Sequence, residues 1–199
     1  MTDLTPQQRR KAQTHQQIIE EALQLIVAHG LRGLSIRELA DALDYTPGAL
    51  YRYFDSKDDL IDAVRAACFQ RLNAAIAAGI RDAESAGEML LQGGVAYIEY
   101  AALHPVEYQL MFHLEPSPAA HPDQREQSMQ MLLHIVRLGI AQGEITPTEG
   151  YDAEAITYHC WITVHGIASL QSSVLQDEKE RVQELSRMIL EKVIAGFTC

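Results

Sequence analysis

Apolar residues recur every three to four positions along almost the whole chain, whereas alternating apolar and polar runs bounded by turn residues are scarce. The pattern predicts an all-α protein. Its first helix spans about residues 6–29, with Ile18, Ala22, Leu25 and Ile26 at the spacing of one face and Gly30 as the stop signal. Ser35-Ile-Arg-Glu38 follows as a capping box, where a hydroxyl and a carboxylate satisfy each other's orphan amides, and it opens a short helix burying Ile36, Leu39, Ala40 and Leu43. Asp44 tolerates left-handed backbone and turns the chain. Thr46 as N-cap and Pro47 at the first helical position then start a helix of about two turns through Phe54, with Leu50 and Phe54 facing the core. Ser56-Lys-Asp-Asp59 opens another, carrying acids in its first turn and Ile61, Val64, Cys68 and Leu72 on one face. Beyond residue 84 the helices lengthen, at about 85–103, 105–113, 122–142, 150–175 and 177–196. They are punctuated by His104-Pro105, by Pro116-Ser-Pro118 and by Gly143 to Gly150, which makes about nine helices.

Two short helices joined by the tight turn Leu43-Asp44-Tyr45 form a helix-turn-helix over residues 35–54. Small residues at the start of the second helix, Gly48 and Ala49 after Thr46-Pro47, let its leading end enter a major groove, and its dipole and amides favour nearby phosphate. Tyr51 and Tyr53 offer hydroxyls to phosphates, Arg52 reaches a guanine edge or a phosphate, and Lys57 stands at the next helix start as a phosphate anchor. Ser35, Arg37 and Tyr45 complete the expected DNA-facing set.

Charge changes this picture less than its total suggests. The chain of 199 residues carries a net charge of −11, yet residues 1–57 are neutral and the whole deficit lies in residues 58–199. A 47% hydrophobic content at this length supports a real core without a disulfide or metal staple. Cys68, Cys160 and Cys199 are odd in number and widely spaced, which fits a reducing compartment, and no apolar run is long enough for a membrane span. With a polar start where a signal peptide would be apolar, the expected location is the cytoplasm, without a membrane partner.

The runs Leu34-Ser-Ile-Arg-Glu-Leu-Ala-Asp-Ala-Leu43 and Thr46-Pro-Gly-Ala-Leu-Tyr-Arg-Tyr-Phe-Asp-Ser-Lys-Asp-Asp-Leu60 closely resemble the N-terminal domain of tetracycline-repressor-like (TetR/AcrR) transcription regulators. The departure is Asp44-Tyr45, where the family usually carries Gly-Val. Two further stretches, Tyr100 to Phe112 with His104-Pro105 and Trp161-Ile-Thr-Val-His165-Gly166, resemble the C-terminal class with a Trp-His-Gly signature. The resemblance implies a DNA-binding domain at 1–57 and an effector-binding and dimerisation domain at 58–199.

Met89, Gly93, Tyr97, Tyr100, Met111, Phe112, Met129, Leu133, Trp161 and His165 are the candidates for a mostly apolar effector cavity, with plain core as the alternative for each. The Gly93-Gly94 pair inside a helix signals either close packing or backbone approach to a ligand. No Glu-x-x-His, nucleophile elbow or Gly-rich phosphate loop occurs, so neither a metal, despite His104, His113, His159 and His165, nor a catalytic residue or cofactor is expected. The eighth helix is apolar nearly all round, with Ile156, Cys160, Thr163, Ile167, Leu170 and Val174 on one face and Trp161, Ile162, Ala168 and Leu175 on another. The ninth carries Val182, Leu185, Ile189 and Val193 as one stripe. Both need a second covering, which a two-fold copy supplies as a four-helix interface. The expected function is a homodimeric, ligand-responsive transcriptional regulator, a repressor released from a palindromic double-stranded operator by an unidentified small molecule. The alternative is a small-molecule-binding helical protein or enzyme with an unused helix-turn-helix.

Overall fold

The computed structural model describes residues 5–112 and 123–198. Among the described residues there are nine α-helices, two short 3-10 turns and two isolated β-bridges, with no strand. The Pro116–Pro118 loop, His113 and Cys199 lie outside the described residues. Packing divides the chain into two units: Met1–Cys68 with Val106–His121, and Phe69–Pro105 with Pro122–Cys199.

In the first unit, α1 (Pro6–His29) starts with Thr5 and Gln8 as a reciprocal capping box. It buries Ile18, Ile19, Ala22, Leu23 and Ile26. Gly30, at φ 73°, ends it in backbone a side chain disfavours, and its amide donates to the Ile26 carbonyl at 2.8 Å. A 3-10 turn, Leu31–Gly33, leads to α2 (Ile36–Ala42). Only half of the expected box forms there. Ser35 Oγ accepts from the Glu38 amide at 3.4 Å, while the Glu38 carboxylate lies 3.9 Å from His29 Nε2.

Asp44 adopts φ 57°, the left-handed turn expected of it, and the Tyr45 amide returns to the Ala40 carbonyl at 2.8 Å. Helix α3 (Pro47–Leu50) is one turn, not the two expected through Phe54. Bonds from Arg52 to Ala49 and from Tyr53 to Leu50 tighten the backbone, and the Asp55 amide is already committed to Asp59 Oδ2 at 2.9 Å, at the cap of α4. Helix α4 (Lys57–Gly79) begins with Ser56 Oγ accepting from the Asp59 amide. Its buried face runs through Leu60, Val64, Cys68 and Leu72, so Leu60 replaces the expected Ile61, which is half-buried. After α5 (Ala86–Leu103), α6 (Pro105–Phe112) packs largely with this first unit, where the buried Arg65 of α4 donates to the Leu110 carbonyl at 3.2 Å and pairs with Asp62 at 3.1 Å.

In the second unit α5 (Ala86–Leu103) packs against α7 (Asp123–Gln142), α8 (Ala153–Gln171) and α9 (Lys179–Ala195). Its glycine pair is a packing device. A Cβ on Gly93 would stand 3.2 Å from Ile80 of the segment after α4, and one on Gly94 3.0 Å from Leu190 and 3.3 Å from Val164. Helix α8 is shorter than its apolar pattern because Asp152 caps its start, and beyond its end the Ser172 and Ser173 hydroxyls bond back to the Ala168 and Ser169 carbonyls.

Candidate nucleic-acid interface

The first unit presents an unbroken exposed run from Asp44 to Gly48. Thr46 holds the N-cap position of α3, but its hydroxyl caps nothing, and Gly48 has open space where a Cβ would be. Tyr45 is 40% exposed and Tyr51 52%, large values for residues of their size. Arg37 and Arg52 are exposed and form no ion pair among the described residues. Ala49 and Tyr53 are half-buried, while Leu50 and Phe54 face the core as expected. A one-turn α3 has too few aligned peptides for the dipole and amide contribution expected of it. What it presents outward is side-chain surface and an open backbone approach at Gly48.

Two expected contacts are already engaged. The Ser35 hydroxyl is the α2 cap, and the half-buried Lys57 ammonium donates to the Leu34 carbonyl at 2.6 Å, tying the start of α4 to the residue before that cap. Lys57 keeps two further N–H donors for phosphate. His15 was missed by the sequence reading: it stacks on Phe54 with ring centroids 4.5 Å apart. The signal was present, because His15 precedes Ile18 and Ala22 on the stripe that α1 buries.

Within the second unit, the expected effector residues are mostly drawn into its packing. Tyr97 and Tyr100 are buried; the Tyr97 hydroxyl meets His165 Nδ1 at 3.1 Å, and His165 stacks on Trp161 at 5.1 Å. Met89 packs on the apolar core, Gly93 against Ile76 and Ile80, and Met129 and Leu133 are half-buried. Met111 and Phe112 belong to the first unit instead, with Phe112 against Tyr108. Sequence reasoning also missed Gln171, which is 1% exposed with neither amide atom hydrogen-bonded.

The pairing faces differ from those expected in one respect. Ile156 and Cys160 sit in the apolar core with Ala86, Leu90, Val136 and Phe197, so neither is available to a partner; their side of α8 faces α5, α7 and α9. Thr163, Ile167, Val182 and Val193 are half-buried. The exposed apolar residues of α8 and the turn after it are Tyr158, Ile162, Leu170 and Val174, and those of α9 are Leu185, Met188 and Ile189. A groove of about 490 Å³ runs beside them, lined by His159, Met188, Ile189, Lys192, Val193 and Gly196.

Residues 18–64 match the family described as "Bacterial regulatory proteins, tetR family", and residues 90–192 match "Tetracyclin repressor-like, C-terminal domain". The chain belongs to the TetR family. It is a TetR-family transcriptional regulator, from a family whose members bind DNA operators and act as dimers with small-molecule effectors. A curated relative, the HTH-type transcriptional repressor KstR2 of Rhodococcus jostii (strain RHA1), is 35% identical over 48 residues, a match covering 24% of each chain. A structure of a protein of unknown function from Rhodococcus sp. RHA1 superposes at a TM-score of 0.80 with 26% identity, covering 93% of this chain and 95% of the other. A TetR transcriptional regulator from Chloroflexus aurantiacus J-10-FL reaches 0.72 at 21% identity, over 96% and 98%, and shows the shared fold. Among the described residues no helix of this TetR protein is long and apolar enough to cross a membrane.

Proposed function

We propose that the protein is a cytoplasmic, non-enzymatic, homodimeric repressor that binds a near-palindromic operator and leaves it when a small molecule binds the second unit. The observation that carries this reading is the exposed Asp44–Gly48 run followed by Tyr51 and Arg52, side chains that the fold leaves uncovered on a helix-turn-helix. DNA-facing roles go to Arg37, Tyr45, Thr46, Gly48, Ala49, Tyr51, Arg52 and Tyr53, with Ser35 and Lys57 setting the geometry behind them. Pairing through the exposed faces of α8 and α9 presents two α3 elements to major grooves one helical turn apart, ~34–36 Å.

Helix α4 is the natural carrier of the response. It is continuous from Lys57, tied to the α2 start, to Gly79 in the second unit. An effector that tilts α4 changes the separation of the two recognition elements and costs one half-site its register. A coupling of ~1–3 kcal/mol lowers operator affinity 5- to 150-fold, sufficient for induction. Tyr97, Tyr100, Trp161 and His165, with Gln171 as an unused polar anchor, are the proposed surroundings of that effector, and the functional division falls at residues 57 and 58.

Selection from random double-stranded DNA with the purified chain tests the reading. The expected product is a motif with two-fold symmetry whose affinity falls on Arg37→Ala or Arg52→Ala substitution. Recovery of unenriched DNA would contradict it.

A further inference from the structure

The recognition element is marked chemically by what it lacks. Between Asp44 and Tyr53 there is no Asn, Gln, Lys or Glu, and the single guanidinium, Arg52, follows α3. Paired hydrogen bonds to adenine or guanine edges come from amide and guanidinium side chains, so α3 itself offers none. Its surface is apolar instead. Tyr51 keeps right-handed helical backbone at φ −66° and ψ −3°, so it stands one turn after Pro47 on the same face, and both are exposed. Gly48 beside them has no neighbour within 4 Å of its missing Cβ, which lets this face approach a groove floor closely. On the edges of base pairs in the major groove the one apolar feature is the 5-methyl group of thymine.

We infer that the operator half-site is read through thymine methyl groups, packed against the ledge formed by the Pro47 ring and the face of Tyr51. This rests on the proposed DNA-binding function and names the class of sequence it selects: half-sites with thymines beneath α3, where the run from Asp44 to Tyr53 supplies at most one guanine contact, from Arg52. The Tyr51 hydroxyl is not the reading group; its ring is.

The test uses the full chain and the duplex enriched by selection, with each thymine replaced in turn by uracil, which removes the methyl group and keeps every pairing and hydrogen-bonding atom. At one or more thymines per half-site, replacement weakens binding roughly fourfold, and about fifteenfold when made in both half-sites. Tyr51→Phe retains this thymine preference, whereas Tyr51→Ala binds more weakly and no longer distinguishes thymine from uracil at that position. Because Tyr51 is exposed, both variants should keep the parent helical content and melting temperature. An enriched duplex that tolerates uracil everywhere within twofold overturns this inference alone, as does a Tyr51→Ala variant that still prefers thymine. Failure to enrich any sequence overturns the proposed function along with it.

Discussion

Single residues in this chain separate groups that hold the fold from groups with chemistry left to offer. Gln171 is buried on α8 with both amide atoms unpaired, which a packed interior tolerates only at a cost. Gln171→Leu keeps the apolar volume and removes that cost, so it should raise unfolding stability by roughly 1–3 kcal/mol in denaturant titrations. A loss of stability would show that the amide is satisfied in solution. Cys160 reports on the same unit. Burial pushes its thiol up from 9.0 to about 12, so the folded state holds the proton that the unfolded chain releases at a lower pH. Its contribution to stability is therefore complete below about pH 9 and is lost as the pH rises towards 12. At pH 8 alkylation of Cys160 should be far slower in the folded protein than in denaturant; equal rates would place the thiol in contact with water.

Helices were legible where caps and periodicity agreed, and illegible where neighbouring elements compete for the same backbone. Helix α1 runs Pro6–His29 as its pattern indicated, because Gly30 and the Thr5–Gln8 box define its ends independently of packing. Helix α3 stops one turn early as the backbone tightens at Arg52 and Tyr53 and the cap of α4 claims the Asp55 amide, a competition between adjacent elements that helix propensity does not contain. The same holds for Ile156 and Cys160: an apolar stripe announces burial but not which surface provides it. Lys57 reads as a phosphate anchor by type and position, and only the fold reveals that the Leu34 carbonyl occupies one of its donors. At α7 the limit is steric. A Cβ on Gly139 would fall 2.6 Å from Ile145 Cδ1 and 2.8 Å from the Ala86 Cβ, which is fixed to the start of α5. Gly139→Ala should cost about 1–3 kcal/mol by overpacking, read as a lowered melting temperature, while an unchanged one would mean the α5–α7 contact is looser than it stands.

For the whole molecule, sequence pattern and family resemblance carried the all-α class and the regulator assignment, since both depend on the run from Leu34 to Leu60 and on helical periodicity throughout. The effector stays unnamed because Met, Tyr and Trp at helical spacing serve core and cavity alike. The central claim is that α8 and α9 pair across a two-fold axis and so set two α3 elements on one duplex. Ile162 is 60% exposed on α8, remote from any buried role, so Ile162→Glu should leave each protomer folded while placing like charges across the pairing face. Sedimentation of the wild type and this variant, alone and with the selected operator, tests the claim most directly. The account predicts a wild-type dimer bound as two protomers per duplex, and a folded monomeric variant that no longer holds the operator. A wild-type monomer, or a monomeric variant with undiminished operator affinity, would contradict it.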